Sequence, residues 1–148
     1  MKSCVVIYNP NSGHTLKTKH LKEYKIILEK HGYSARFIGT EYRGHAKEII
    51  SHLDKCDLVI SMGGDGTFNE AVTGNLQRKD RLVLAHIPVG TTNDVGVMFG
   101  YGKDIKRNLS LLLNGVTKEM DICIINGQPF VYVAGFGKFM HIPYQTSR

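Results

Sequence analysis

The sequence holds little that points to a membrane span, a disulfide scaffold or a common metal site. No apolar run approaches the roughly 20 residues of a transmembrane helix, and the apolar stretch near the N-terminus is too short for a signal peptide. The three cysteines form no CxxC pair, which fits reduced, buried thiols. The seven histidines form no H-x-x-x-H pattern, and structural roles are predicted for His45 and His86. We therefore expect a soluble, cytoplasmic protein.

Two common nucleotide-binding signatures are also absent. The P-loop pattern G-x-x-x-x-G-K-[ST] does not occur, and no G-x-G-x-x-G follows the first apolar run. Basic and aromatic residues do not interleave as they do in RNA-binding modules, so no nucleic-acid partner is predicted. The chain nevertheless carries 19 Lys and Arg against 13 Asp and Glu, a formal charge of +6. This excess favours anionic partners, although an ordinary solvated surface explains it equally well.

Apolar runs and amphipathic stretches alternate along most of the chain. The predicted strands cover 4–8, 33–40, 56–62 and 82–89, and helical periodicity follows each of them. This order predicts an α/β fold, a three-layer αβα domain with a parallel sheet, over residues 1–120. The run 56–62 is apolar on both faces, which is typical of a central strand. After residue 120, Asn126-Gly127 predicts a hairpin, so we expect 121–148 to begin a second, β-rich domain.

Four loops lie where a parallel sheet presents its carboxyl edge. They are "NPNSG" (9–13), "TEYRGHA" (40–46), "GGDGT" (63–67) and "PVGTTND" (88–94). Ligands of open α/β sheets bind at this edge. Each loop combines small, turn-forming and polar residues, so together they predict a binding site there.

The loop "GGDGT" carries the strongest indication of phosphate binding. Its three glycines accept positive φ and let backbone N–H groups approach a ligand, and a helix begins at the same place. Thr67 and Glu70 match a capping box, which explains these two side chains structurally. Asp65 is left unexplained by capping. A carboxylate beside phosphates favours an intervening cation, so a link to Mg²⁺, directly or through water, is predicted for Asp65.

The other loops carry weaker indications. "NPNSG" also fits a plain strand-to-helix turn. Thr40 and Arg43 are candidates to reach a nucleotide, although Arg43 also fits a solvated loop residue. Asn93 or Asp94 is predicted to cap the next helix, and Asp94 is equally a candidate functional carboxylate.

With these residues together, the chain resembles the diacylglycerol kinase catalytic domain, in the family of soluble bacterial diacylglycerol kinases and related lipid kinases. "NPNSG", "GGDGTFNE" and "PVGTTND" occur in that family's order and spacing, and the resemblance covers nearly the whole chain. It implies an N-terminal ATP-binding half, with ATP and Mg²⁺ as cofactors. The implied catalytic residues are Asp65 and Asp94, with the general base expected beyond Arg148. The implied cofactor-binding residues are Asn9, Pro10, Asn11, Ser12, Gly13, Thr40, Arg43, Gly63, Gly64, Asp65, Gly66, Thr67, Phe68, Asn69, Thr91 and Asn93.

The expected reaction is transfer of the ATP γ-phosphate to a lipid hydroxyl, with diacylglycerol giving phosphatidic acid. The expected partners are ATP, a lipid substrate and, peripherally, an anionic membrane; a homodimer is left open. An NAD kinase-like enzyme shares "GGDGT", and a non-catalytic nucleotide-binding module would share all the loops. Both stand as alternatives.

Overall fold

Alternating apolar runs and amphipathic stretches form strands and helices in the predicted order. The computed structural model describes residues 1–12 and 18–135. The strands are β1 (Lys2–Tyr8), β2 (Tyr33–Gly39), β3 (Leu58–Gly63), β4 (Leu84–Pro88), β5 (Cys123–Ile125) and β6 (Gln128–Phe130). The helices are α1 (Thr18–Lys30), α2 (His45–His52), α3 (Asp65–Leu76), α4 (Asp94–Met98) and α5 (Ile105–Leu113).

The first four strands form one parallel sheet in the order β2-β1-β3-β4. β3 pairs with β1 on one side and β4 on the other, and all six of its residues are buried. The prediction of a central third strand is therefore confirmed. Because β1 lies between β2 and β3, the chain order reverses at β1, and the loops that leave β1 and β3 diverge at this switch point.

Helices cover both faces of the sheet, which confirms the three-layer architecture. Side chains alternate between the faces along each strand. On one face Val6 and Ile60 pack with α1 and α5, through residues such as Leu28. On the other face Val5 and Val59 pack with α2, α3 and α4. Each helix supplies one apolar stripe, so burial of these stripes is what holds the layers together.

Helices α2 and α3 pack closely against each other, and hydrogen bonds join the end of α2 to the segment that follows α3. A Cβ on Gly74 would overlap the Lys47 carbonyl, so only glycine lets the backbones approach this far. Near the C-terminus of α2, the Arg78 guanidinium donates to the carbonyls of Ile50 (2.8 Å) and Leu53 (2.6 Å). These bonds satisfy carbonyls that the end of a helix leaves unpaired. The C-terminal end of α2 is thereby held beside the segment that follows α3.

A two-stranded antiparallel hairpin, β5 and β6, follows α5. Asn126 and Gly127 form its turn with φ of 49° and 74°, so the predicted hairpin is confirmed. The N–H of Val131 then donates to Asn69 Oδ1 at 3.1 Å, which links the hairpin to α3. The assignment of 121–148 to a second domain stays a prediction, and residues 136–148 lie outside the described ranges. Within those ranges, no helix has both the length and the apolarity to cross a bilayer.

Candidate functional site

A cavity of about 760 Å³ opens at the carboxyl edge of the parallel sheet. Its size lies within the range typical of small-molecule sites. Residues from the loops after all four parallel strands line it, together with the segment that follows β6. The lining residues are Asn9, Asn11, Thr40, Glu41, Tyr42, Arg43, Gly64, Asp65, Gly66, Thr67, Asn69, Glu70, Gly90, Thr91, Thr92, Asn93, Asp94, Val95, Phe130, Val131, Tyr132 and Val133.

Backbone hydrogen bonds that extend the sheet fix where three of these loops start. The bonds run from the N–H of Asn9 to the carbonyl of Met62 (3.0 Å), from Thr40 to Tyr8 (2.8 Å) and from Val89 to Gly63 (2.8 Å). Each loop therefore leaves the sheet from a fixed position. The cavity floor is consequently built on the rigid sheet.

Asp65 joins the loops that follow β3 and β4. It is the first residue of α3, and its two carboxylate oxygens accept the N–H groups of Asp94 (3.1 Å) and Val95 (3.0 Å) at the start of α4. A carboxylate at the N-terminus of a helix satisfies unpaired donors and complements the helix dipole. Asn93 occupies the N-cap position of α4, as one of the two predicted candidates, but its side chain makes no capping bond, and Asp65 supplies the cap across the cavity edge instead.

Asn93 instead closes its own loop. Its backbone lies in the left-handed region (φ 58°), and its side-chain amide accepts the Gly90 N–H (2.8 Å) and donates to the Gly90 carbonyl (2.7 Å). A Cβ on Gly90 would come within 2.6 Å of Gly64 Cα. The two loops thus meet backbone to backbone, and together with Asp65 these contacts make them one unit.

The three glycines of "GGDGT" have three different roles. None of them has positive φ, so the predicted use of their conformational freedom is wrong. A Cβ on Gly63 would overlap the Thr67 side chain, and Gly64 packs on Gly90. Only Gly66 has nothing within 4 Å of an added Cβ. Since glycine in a helix costs roughly 0.5–1 kcal/mol relative to alanine, packing gives no reason for Gly66. It leaves bare backbone on the cavity wall.

The predicted capping box at Thr67 and Glu70 is also wrong. The N-cap residue of α3 is Gly64, and no side chain caps the helix; α3 begins inside the predicted loop. Thr67 is buried beneath Gly63. Glu70 Oε1 accepts the N–H of Gly44 at 2.8 Å, so it links α3 to the loop before α2. The spacing fits a capping box, but because α3 begins at Asp65, Glu70 lies in the second turn of the helix.

Beneath the cavity, a buried histidine stacks on an aromatic ring. The rings of His86 and Phe68 lie 4.8 Å apart, and His86 Nδ1 lies 3.1 Å from the Ser61 carbonyl. Burial lowers the pKa of His86 from 6.5 to about 4, so the ring is neutral. Both side chains belong to the core, which fits the structural role predicted for His86. The Phe68 side chain is buried in the core and is not part of the cavity lining, and the predicted contact of Phe68 with a ligand stays a prediction.

The described lining is acidic where an anion would have to bind. It carries the four carboxylates of Glu41, Asp65, Glu70 and Asp94 against the single guanidinium of Arg43. A polyanion in this space therefore needs a cation between its phosphates and these carboxylates. The described residues contain no group of three or more His, Cys, Asp or Glu placed to hold a metal ion by themselves. A divalent ion here would share its coordination with a ligand and water, as Mg²⁺ commonly does.

Most of the predicted site residues line the cavity. These are Asn9, Asn11, Thr40, Arg43, Gly64, Asp65, Gly66, Thr67, Asn69, Thr91, Asn93 and Asp94. Pro10, Ser12 and Gly63 lie beside the wall without lining it, and Gly13 lies outside the described residues. Whether any of the lining residues binds a ligand stays a prediction.

Sequence reasoning missed two parts of this site. The segment 130–133 lines the cavity because the Val131 N–H donates to Asn69 Oδ1. These two residues are 62 positions apart, so no local sequence pattern predicts their contact. Tyr42 also lines the cavity, with its ring stacked on His45. The spacing of Tyr42 and His45 at i and i+3 was visible in the sequence, but Tyr42 lies in the loop before α2, where helical spacing has no fixed meaning.

Together, these features define an open α/β domain that presents a ligand cavity beyond the carboxyl ends of its parallel strands. The description "Diacylglycerol kinase catalytic domain" belongs to a family model that matches residues 3–125. The chain is a member of the diacylglycerol kinase catalytic domain family, as its motifs implied.

Similar proteins span more sequence than this chain. It is 38% identical over 149 residues to a diacylglycerol kinase of Bacillus subtilis (strain 168), covering 99% of this chain and 49% of the relative. It is 36% identical over 148 residues to a diacylglycerol kinase of Staphylococcus aureus (strain JH9), covering 98% and 47%. A crystal structure of a diacylglycerol kinase from Bacillus anthracis str. Sterne aligns with a TM-score of 0.77 at 29% identity, covering 87% of this chain and 48% of that one. The chain thus spans about half the length of these relatives.

Proposed function

We propose that this chain is the nucleotide-binding portion of an ATP-dependent lipid kinase, which transfers the γ-phosphate of ATP to the hydroxyl of diacylglycerol and forms phosphatidic acid. The observation that carries the proposal is Gly66. It places bare backbone at the N-terminus of α3, on the wall of a large cavity, where packing alone favours alanine. Membership of the diacylglycerol kinase catalytic domain family supports the same conclusion.

The phosphates would bind to backbone donors at the start of α3. The N–H groups of Thr67 and Phe68 already donate to the Gly64 carbonyl (3.0 and 3.2 Å). Those of Asp65 and Gly66 precede the first intrahelical bonds, and the positive end of the helix dipole lies beside them. An added Cβ at Gly66 would stand in the open space that a phosphate needs. Thr91, on the exposed tip of the neighbouring loop, would add a hydroxyl donor.

Mg²⁺ fits this site through Asp65 and Asp94. Each Asp65 oxygen accepts one N–H group, so each keeps a lone pair for an ion or for its bound water. The Asp94 carboxylate lies at the start of α4 and lines the same cavity. When bound, the ion would neutralise phosphate charge. This chain's own contribution is to hold both carboxylates in place, since the bonds from Asp65 fix the start of α4.

The remaining parts of the proposal concern the acceptor. Phosphoryl transfer depends mainly on positioning and charge stabilisation, and the residues described here supply the donor side of that arrangement. We assign the general base that would activate the lipid hydroxyl to none of the described residues. A formal charge of +6 supports peripheral contact with an anionic membrane, where the lipid substrate resides.

The test is transfer of labelled phosphate from γ-labelled ATP by the polypeptide at its natural length. Diacylglycerol in anionic micelles, sphingosine and NAD are offered separately. Labelled phosphatidic acid is the expected product. Labelled NADP without labelled lipid would overturn the proposal in favour of an NAD kinase-like enzyme. Binding of Mg–ATP with no transfer to any acceptor would overturn it in favour of a non-catalytic nucleotide-binding module.

A further inference from the structure

Tyr42 is an aromatic side chain that the fold holds rigid while leaving much of it exposed. Its relative accessibility is 54%, which is high for a ring that makes specific contacts. One face stacks on His45, with the ring centroids 4.4 Å apart and the planes inclined by 6°. The hydroxyl donates to Glu48 Oε2 at 2.6 Å. Two independent contacts thus fix the orientation of a ring that is largely exposed to solvent.

The histidine under the ring is fixed as well. His45 Nδ1 accepts the N–H of Glu41 at 3.1 Å, which assigns the ring proton to Nε2 and sets the ring orientation. The hydrogen bond to Glu48 raises the pKa of Tyr42, so the phenol stays protonated and the ring neutral at physiological pH. A side chain fixed in advance loses little conformational freedom when a ligand stacks on it.

Tyr42 is one of the residues that line the candidate nucleotide cavity. Its loop is tied to α3 by the bond between the Gly44 N–H and Glu70 Oε1 (2.8 Å). Glu70 follows Gly66 by four residues, so the tie lies roughly 6 Å along the helix from the phosphate-binding N-terminus. A residue with a flat aromatic ring and the start of α3 therefore line one cavity.

We propose that Tyr42 is the base-stacking residue of this site and that it selects purine nucleotides by stacking on the base. The inference rests on the proposed function, which supplies the nucleotide. The exposed ring would stack on the base, and purines would bind better than pyrimidines because their larger ring system covers more of the phenol. Removing an aromatic side chain that stacks on a base typically weakens affinity by about fivefold to 100-fold.

Titration calorimetry of the 148-residue chain with Mg–ATP, Mg–UTP and magnesium tripolyphosphate separates this role from a structural one. In the wild type, ATP should bind more tightly than UTP. Tyr42→Ala should weaken ATP about tenfold and leave tripolyphosphate within about twofold. Tyr42→Phe keeps the ring and loses only the Glu48 bond, so its ATP affinity should stay within about threefold of wild type. Thermal unfolding of each variant controls for folding.

The alternative role for Tyr42, packing that merely orders the loop, gives a different result. Equal weakening of ATP and tripolyphosphate by Tyr42→Ala would overturn the inference, as would unchanged ATP affinity; either result leaves the proposed function standing. Failure of the wild-type chain to bind both ATP and tripolyphosphate would instead overturn the proposed function and the inference with it.

A second readout uses the absence of tryptophan from the chain. Tyr42→Trp places a single indole on the same wall, and a purine stacked on it should quench its fluorescence. Quenching by Mg–ATP without quenching by magnesium tripolyphosphate is expected. Quenching that is absent, or equal for both ligands, would overturn the inference.

Discussion

Replacing Asp65 with alanine removes the cap that joins α3 to α4. The carboxylate accepts two backbone N–H groups at 3.1 and 3.0 Å, and the replacement leaves both donors unpaired in a partly buried position. Loss of an N-cap costs about 1–2 kcal/mol, and a hydrogen bond to a charged group is worth about 1.5–3 kcal/mol. Allowing for partial solvation, we expect the free energy of unfolding to fall by about 2–4 kcal/mol.

The measurement is urea unfolding of the ligand-free chain, followed by circular dichroism, with thermal melting alongside. A loss of this size corresponds to a drop in Tm of roughly 5–15 °C for a domain of this length. Asp65→Asn keeps one acceptor oxygen and should lose about half as much. Asp94→Asn is the matched control, because Asp94 lines the same cavity without capping another helix. Its cost should stay below about 1 kcal/mol.

A different outcome would refute the capping role. If Asp65→Ala and Asp94→Asn both unfold within about 0.5 kcal/mol of wild type, Asp65 does not hold α4 in solution. The structural and the ligand-binding roles of Asp65 separate in the same samples, because stability is measured without nucleotide and Mg–ATP affinity is measured well below the Tm.

Three further predictions concern a cavity glycine, a buried titratable group and a helix crossing. Gly66→Ala should raise the free energy of unfolding by up to about 1 kcal/mol, since its Cβ meets open space, and should weaken Mg–ATP binding at least tenfold; Gly63→Ala, which overlaps Thr67, should instead lower stability. A lower free energy of unfolding in Gly66→Ala, or an unchanged affinity for Mg–ATP, would contradict the role given to Gly66. Because the pKa of folded His86 lies at about 4 and that of the unfolded residue at 6.5, the unfolded chain binds the proton first, and stability should fall by up to about 3 kcal/mol as pH drops from 6.5 to 4. In urea titrations at a series of pH values, His86→Phe should remove most of this dependence of the free energy of unfolding on pH. An unchanged dependence would contradict the role given to His86. Gly74→Ala should cost about 2 kcal/mol or more in the same titrations, because its Cβ overlaps the Lys47 carbonyl; a neutral result would show that α2 and α3 can separate freely.

The architecture was predictable because its determinants are local. Apolar runs and helical periodicity specify each element. The run that forms β3 is apolar on both faces, which predicts its central position in the sheet. The edge of the sheet that carries the cavity follows from the same alternation of strands and helices. Asn126-Gly127 likewise predicts its hairpin, because Asn and Gly accept the two positive φ values that the turn requires.

The detailed roles within the site were not predictable, because contacts between distant segments decide them. Asp65 looked unexplained because its partners lie 29 and 30 residues further along the chain. Gly63, Gly64 and Gly66 look alike in sequence, yet one accommodates Thr67, one contacts Gly90 and one faces the cavity. Thr67 and Glu70 matched a local capping pattern that the earlier start of α3 overrides. Local sequence patterns predict which segments form the site, whereas tertiary packing determines the role of each residue in it.

The central claim is that the cavity at the carboxyl edge of the sheet binds a nucleotide with its phosphates at the start of α3. Backbone amide chemical shifts of the ¹⁵N-labelled chain, followed during titration with Mg–ATP, test this claim most directly. Saturable shifts should concentrate in segments 40–44, 64–70 and 90–95, with the largest change at Gly66. Shifts that are absent, or that concentrate instead in the smaller cavity between Glu23 and Lys106 on the α1 and α5 face, would contradict it.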